Sequence, residues 1–351
     1  MYFLASLVGL VAFGLLIWFG YNYFINSNLP TALVEIPEKE EPCDFQRVLD
    51  GVCVESAEEV NPKLVVVMFD NHMWARPQIG LAEASIVYEA PVEGNFSRFM
   101  GLYPVSEVVA KVGPVRSARP YFLDWLLEYG DAMYFHVGGS PDALDLIKEF
   151  DINDFNEFYR GWYFWRDENR DAPHNTYTSS ENWNEALERY EENYKLDNYD
   201  GWKFGKVEEC EVDCANKIEV VFLPDSFDMT WEYNTSTAKY ERYQVGRKHK
   251  DQDGDWIVAD TVIVQKVETE ILDGVGRLGM ETIGSGEAII FARGNVIEGE
   301  WRKEARKKRT RFFDNAGNEV TFQAGKIWVE VVNGRTTVEW MERNDELGMM
   351  N

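Results

Sequence analysis

The hydrophobic rhythm of the chain changes several times, and each change predicts an element. "YFLASLVGLVAFGLLIWFGYNYFI", Tyr2 to Ile25, carries no charge. A helix of that length reaches about 36 Å, enough to cross a hydrocarbon core of ~30 Å with some tilt. A cleavable signal peptide has a basic start, a shorter apolar core and a small-residue cleavage site. None of these is evident, so residues 1–25 read as an uncleaved transmembrane anchor. Residues 26–60 lose that rhythm: "NSNLPTALVEIPEKEEP" is rich in Pro and Glu and predicts an extended linker, ending in a small cysteine loop.

Beyond the linker, "KLVVVMFD" is a continuous apolar run closing on Asp70, the pattern of a strand buried on both faces. "ASIVYEAPV" and "FSRFMGLYP" predict a hairpin around Glu93-Gly94. "RPYFLDWLLEYG" predicts a helix with Ser117 or Arg119 near its cap, Pro120 in its first turn and Gly130 at its stop. "AMYFHV" is a strand running into "GGSPDALDLIKEF", where Gly138 and Gly139 turn, Ser140 caps and Pro141 opens a helix. That order presents backbone N–H groups where an anion is favoured. A further helix follows, for which Thr178 and Glu181 have capping-box spacing.

From residue 216 onward strands dominate: "KIEVVFLP", "TAKYERYQVG", "WIVADTVIVQKVE", "GEAIIFARG" and "GKIWVEVV", separated by Asp, Gly and Asn turns. The pattern predicts an α/β (α+β) layered N-terminal domain over 61–205 and a mainly β C-terminal domain over 216–335. A tail is expected over 336–351.

Composition narrows the function classes. The formal charge of −26 disfavours nucleic acid as a partner, because phosphate affinity rests on a basic face. Cys43 and Cys53 bracket "CDFQRVLDGVC", and Cys210 and Cys214 sit in "CEVDC". Two local pairs with no cysteine left over predict two disulfide loops and an oxidising, extracytoplasmic side, in preference to a shared zinc site. The expected location is therefore the cell membrane, single-pass, with the ectodomain outside.

Against that acidic background the arginines stand out. Arg76, Arg98, Arg116, Arg119 and Arg166 are the candidate cations of an anion-reading site, with Ser117, Gly138, Gly139, Ser140 and Asn175 beside them in the same segments. A planar guanidinium pairs bidentately with carboxylate or phosphate. Asp70, His72, Glu89, Glu93, His136 and His174 are the candidate acids and bases. His136 could act as a general base or be a packed strand residue with a satisfied nitrogen, the two readings weighing equally. Glu89 and Glu93 have the residue types of a glycosidase pair, but structural ion pairs with nearby arginines are the better expectation. Ser140 fits an N-cap better than a nucleophile, since no G-x-S-x-G elbow surrounds it. Asp70 with the three histidines could ligate a metal, yet the spacing supports none, and no cofactor is expected. The run "WRKEARKKRTRFF" is basic in seven of the ten residues from Arg302 to Arg311. A solvated hairpin face is slightly preferred there over a patch for an anionic polymer.

The segments "FDNHMWARPQIGLAEASIVYEAPVEGNFSRFMGLY", "KVGPVRSARPYFLDW", "FHVGGSPDAL" and "RDAPHNTYTS" resemble successive signatures of the YerB-like lipoprotein family. "TVIVQ", "GSGEAIIFARGNVIEGEW" and "GKIWVEVV" resemble its second domain. The resemblance implies an extracytoplasmic architecture with an α/β first part and a β-rich second part, and no activity, the family being a domain of unknown function. Family members commonly attach through a lipidated cysteine, whereas here none follows the apolar segment closely. The reading that results is a cell-envelope protein binding an anionic ligand, such as peptidoglycan peptide carboxylates, through its arginines. The alternatives are a peptidoglycan hydrolase using Glu or Asp with His, and a scaffold for an unnamed protein partner.

Overall fold

Leu64–Asp70 forms strand β1, and every one of its side chains is buried. Successive strand residues point to opposite faces, so Leu64, Val66 and Met68 enter one core while Val65, Val67 and Phe69 enter another. These coordinates come from a computed structural model that describes residues 43–190 and 199–342 and, before them, Trp18 alone. Apart from Trp18, the segment expected as the anchor lies outside the described residues. Among those described, no helix is long and apolar enough to cross a membrane.

After β1 come β2 (Ile86–Pro91), β3 (Ser97–Pro104), α1 (Pro120–Leu126), β4 (Met133–His136), α2 (Pro141–Glu149), β5 (Asp154–Asn156) and α3 (Ser180–Tyr190). The later part supplies β6 (Ala215–Leu223), β7 (Phe227–Asn234), β8 (Lys239–Gln244), β9 (Thr261–Lys266) and β10 (Gly284–Ala292). It continues with β11 (Asn295–Lys303), β12 (Arg311–Asp314), β13 (Ile327–Val332) and β14 (Thr337–Glu342). The first part is thus mixed α/β and the second mainly β.

One sheet of ten strands runs in the order β12-β11-β10-β9-β13-β2-β3-β1-β4-β5. Its midpoint is the parallel pair β13 and β2, where Ile327 lies opposite Ile86 and Glu330 opposite Glu89. Strands from the α/β region and the β-rich region therefore share one sheet. Tyr121, Phe122 and Trp125 of α1, with Ala143 and Ile147 of α2, cover one face. A second sheet of six strands, β14-β6-β7-β8 with the short strands Arg247–Lys248 and Val258–Ala259 paired to β8, covers the other through Ile218, Val220, Trp231 and Tyr240, joined by Trp183 and Ala186 of α3.

Three expectations change. Residues 43–60, read as linker, dock on the fold: Leu49 and Asp50 are buried, and Arg47 grips Asp50 at 2.8 and 2.6 Å. Gly51 there adopts φ +71, and an added Cβ would lie 2.3 Å from the Phe204 ring, so no side chain fits. Ser179, not Thr178, takes the capping role at α3, its Oγ accepting from Asn182 N–H at 3.3 Å. Thr178 Oγ1 instead donates to the Tyr163 carbonyl. Part of the expected tail is β14, which pairs antiparallel with β6 because Val338 and Trp340 alternate with polar neighbours and face the core. The two disulfides are Cys43–Cys53 and Cys210–Cys214.

Candidate anion-reading site

β1 and β4 run parallel, so their C-terminal ends open on the same edge of the sheet. Such edges are where α/β sheets commonly hold ligands. The segment around Arg116 threads between the two ends: Arg116 N–H donates to the Met68 carbonyl at 2.8 Å, and Val137 N–H to the Arg116 carbonyl at 3.0 Å. Three of the quoted sequence segments meet here for that reason.

Asp70 is the centre. It accepts from His72 N–H at 2.9 Å and from His174 Nδ1 at 2.7 Å, and it pairs with Arg116 Nε at 3.0 Å. Burial alone would raise its carboxyl pKa, but Arg98 and Arg116, helped by His72 N–H and His174, hold it below the ordinary value. Arg98 is itself buried, donating to the Ser117 carbonyl at 2.7 Å. Burial and the neighbouring Arg119 lower its pKa to about 10.

His174 stacks on His72 with ring centroids 4.7 Å apart. His72 Nδ1 accepts from Trp74 N–H at 3.3 Å, and Phe96 and Trp74 bracket the imidazole. Burial and then the positive potential of His174 pull His72 below the usual imidazole value. Trp74 is 71% exposed, an aromatic face beside a charged centre. With Nδ1 bonded to Asp70, His174 keeps Nε2 as the atom able to exchange a proton.

A buried polar network supports this centre. Arg242 pairs with Glu89, and both are fully enclosed. Ser97 also donates to Glu89, and Asn71 Nδ2 reaches Ser97 Oγ at 2.7 Å. Arg242 contacts His249 at 2.6 Å, His249 meets Gln78 Oε1 at 3.1 Å, and Gln78 Nε2 donates to the Asp70 carbonyl at 2.9 Å. Burial first, then Arg242 and Arg76, keep His249 well below the usual imidazole value and hence neutral. Glu330 is pushed well above the carboxylate range by burial and by Glu89.

The remaining candidates are engaged by partners of their own. Arg119 takes Glu93 bidentately at 2.7 and 2.9 Å, and Arg76 donates to Asn71. Glu89 and Glu93 do not share a space: β2 ends at Pro91, and Glu93 begins a tight turn with Gly94 at φ 71, breaking the strand register. The structure therefore offers no glycosidase pair there. His136 is enclosed, with Nδ1 at 2.7 Å from the Gly138 carbonyl and Nε2 at 2.7 Å from Asp154, which removes it from the general-base role. It also separates His136 from the metal grouping with Asp70.

Ser140 caps α2 by accepting from Ala143 N–H, and Gly138 N–H donates to Asn156 Oδ1 at 3.0 Å, so that donor is not presented to an anion. Arg166 joins Asn175 at 3.1 Å and Glu157 at 3.0 Å, an exposed pair. The basic run 302–311, expected as a solvated face, is half interior: Lys303 and Arg309 reach buried Glu128, and Arg306 reaches Asp124.

Sequence reading missed Asn71, Gln78, Arg242 and His249. The signal for Arg242 lay in "YERYQ", where strand alternation puts Tyr240, Arg242 and Gln244 on one face. An arginine between a core tyrosine and a buried glutamine needs a buried acid.

The comparisons agree with the architecture. A model described as "Protein of unknown function (DUF3048) N-terminal domain" matches residues 49–194, and its C-terminal counterpart matches residues 218–329. The chain belongs to this family. It is 30% identical over 273 residues to "Putative lipoprotein YerB" of Bacillus subtilis (strain 168), covering 76% of this chain and 80% of the relative. The crystal structure of the YerB protein from Bacillus subtilis superposes with a TM-score of 0.73 at 27% identity, covering 84% of this chain and 99% of that one. The family resemblance of the sequence is thereby confirmed, and the shared fold carries no stated activity.

Proposed function

We propose that this member of the DUF3048 family is an envelope protein, held to the membrane by its N-terminal apolar segment, that binds an anionic wall component at the Asp70 edge. The observation that carries the reading is an excess of guanidinium over carboxylate. Arg76, Arg98, Arg116 and Arg119 gather where Asp70 and Glu93 are the acids, Glu89 being matched by Arg242. Arg116 is more exposed than Arg98 and Arg119, with 25% of its side chain accessible, and shares Asp70 with His174, whose ring lies edge-on to the exposed Trp74. A peptide carboxylate could take the outer edge of that guanidinium while Trp74 covers the apolar part of the ligand. Arg76 also lines an open cleft of about 580 Å³ with Arg247, Lys248 and Lys250, extending the cationic surface past Met73.

Asp70 and His174 favour a second reading. A carboxylate that fixes an imidazole through Nδ1 leaves Nε2 oriented for proton transfer, the arrangement a wall hydrolase would use. Incubating the protein with purified sacculi separates the two. Retention in the pellet without new soluble fragments supports binding. Released fragments that disappear in His174→Gln support hydrolysis, and neither result would leave both readings without support.

A further inference from the structure

"EFYRGWYFW", residues 157–165, puts six aromatic side chains into nine positions. Burial divides them. Tyr163 and Phe164 enter the core, whereas Phe158 is 67% exposed, Tyr159 72%, Trp162 54% and Trp165 37%. Core packing accounts for the first pair and gives the other four no reason to be aromatic. Large rings left open to water along so short a stretch mark a contact surface rather than stray apolar residues.

Local bonds hold the rings in place. Asn156 Oδ1 accepts from Phe158 N–H at 3.2 Å and from Gly138 N–H at 3.0 Å, fixing the short helix Glu157–Arg160 that carries Phe158 and Tyr159. The Phe158 ring lies over Gly138, where an added Cβ would stand 2.6 Å from it. Trp165 stacks on buried Tyr177 with ring centroids 6.2 Å apart, and the Arg189 guanidinium sits 5.7 Å from the Trp162 centroid. Rings fixed before binding lose little freedom to a ligand.

The same bonds set this surface beside the Asp70 edge. The Gly138 carbonyl accepts from Ala118 N–H at 3.0 Å, two residues from Arg116. The short strand Trp165–Arg166 pairs with Thr176–Tyr177, directly after His174 and Asn175. Arg170 donates to the Ala75 and Pro77 carbonyls, next to Trp74, itself 71% exposed.

We propose that Phe158, Tyr159, Trp162 and Trp165, with Trp74, form a stacking surface for the neutral sugar rings of a glycan strand whose peptide carboxylate is taken by Arg116. The inference rests on the anion-reading site proposed above and names the other half of its ligand. A pyranose presents a face of C–H groups to the negative face of an aromatic ring, and its hydroxyls stay in water. Local charge favours a neutral occupant over a bilayer. Glu157, Asp167, Glu168 and Asp171 outnumber Arg160, Arg166 and Arg170 between residues 157 and 171, so no basic excess draws anionic headgroups. Nor is the segment an interfacial helix: its one helix has four residues, and residues 157–165 contain no Leu, Ile, Val or Lys. A wall polymer combines both chemistries, a chain of sugars bearing anionic peptides.

The test titrates the full chain, in a detergent that carries no sugar, with the neutral N-acetylglucosamine tetramer by calorimetry. Saturable binding is expected. Tyr159→Ala/Trp162→Ala should weaken it at least about tenfold while keeping the wild-type unfolding midpoint, and Trp162→Phe, which retains a ring, should lose far less. Arg116→Ala should bind the tetramer as wild type does, because the tetramer has no carboxylate. The two claims therefore fail separately. Retention on sacculi that depends on Arg116, with no tetramer binding, overturns the stacking surface and leaves the arginine reading standing. Tetramer binding that is lost in the double variant, with retention indifferent to Arg116, supports the stacking surface and removes the arginine reading. Tetramer binding unchanged in the double variant also overturns the proposal. So does stronger quenching by brominated lipid in wild type than in Trp162→Phe, measured in liposomes, with no tetramer binding, which assigns the rings to the bilayer.

Discussion

Between Arg302 and Arg311 seven of ten residues are basic, a denser run than Arg98, Arg116 and Arg119 make beside β1. Yet the denser run turns inward. Lys303 and Glu128 are fully enclosed together, Arg309 lies 3.6 Å from the Trp202 ring centroid, and Lys303 also donates to the Asp124 and Lys308 carbonyls. Near Asp70 the opposite holds: fewer cations gather, but they outnumber the acids and one edge stays open. The number of available partners, rather than the density of charge along the chain, decides whether a basic stretch is structure or surface.

Removing one partner from each region should break that comparison most visibly. Glu128→Ala strands Lys303 and Arg309 without their buried acid and should cost about 3–5 kcal/mol in denaturant unfolding. Arg242→Ala, which strands Glu89, belongs in the same range. If either variant melts like the wild type, the buried pairs are not structural.

A smaller effect should follow pH. The folded pKa of Asp70 is depressed, so its stabilisation is complete above the unfolded value of about 3.9 and is lost as pH falls through the folded value. Asp70→Asn should therefore be less stable than wild type at neutral pH, with the gap closing below about pH 4. A gap independent of pH would mean that the carboxylate contributes nothing through its charge.

The local elements were legible because local rules specify them. Pro120 and the Ser140-Pro141 pair open their helices as their chemistry requires, and the hairpin of β2 and β3 forms around Gly94. The sheet that unites the two regions was not legible. "KLVVVMFD" and "GKIWVEVV" declare buried strands, but nothing in an apolar run names its neighbour, so the pairing of β13 with β2 is a tertiary fact. The site was half visible. Asp70, His72, His174 and Arg116 were singled out, but the division of Glu89 to Arg242 and Glu93 to Arg119 depends on where β2 ends and on a strand far along the chain. The cap of α3 was missed by one residue because "TSS" offers successive hydroxyls for one role.

The smallest effect on stability should come from Arg116→Ala: its partly exposed pair with Asp70 contributes at most about 1 kcal/mol. Its effect on ligand should be the largest. Wall binding by the wild type should weaken as salt rises, since an exposed guanidinium is screened over about 10 Å at 0.1 M ionic strength. The most direct measurement sets Arg116→Ala beside a Lys307→Ala/Lys308→Ala double variant, which alters the exposed part of the basic run, and compares retention of each on purified sacculi. The account predicts that Arg116→Ala loses most retention while keeping its fold and that the double variant binds as wild type does. Loss in the lysine variant with full binding by Arg116→Ala would contradict it.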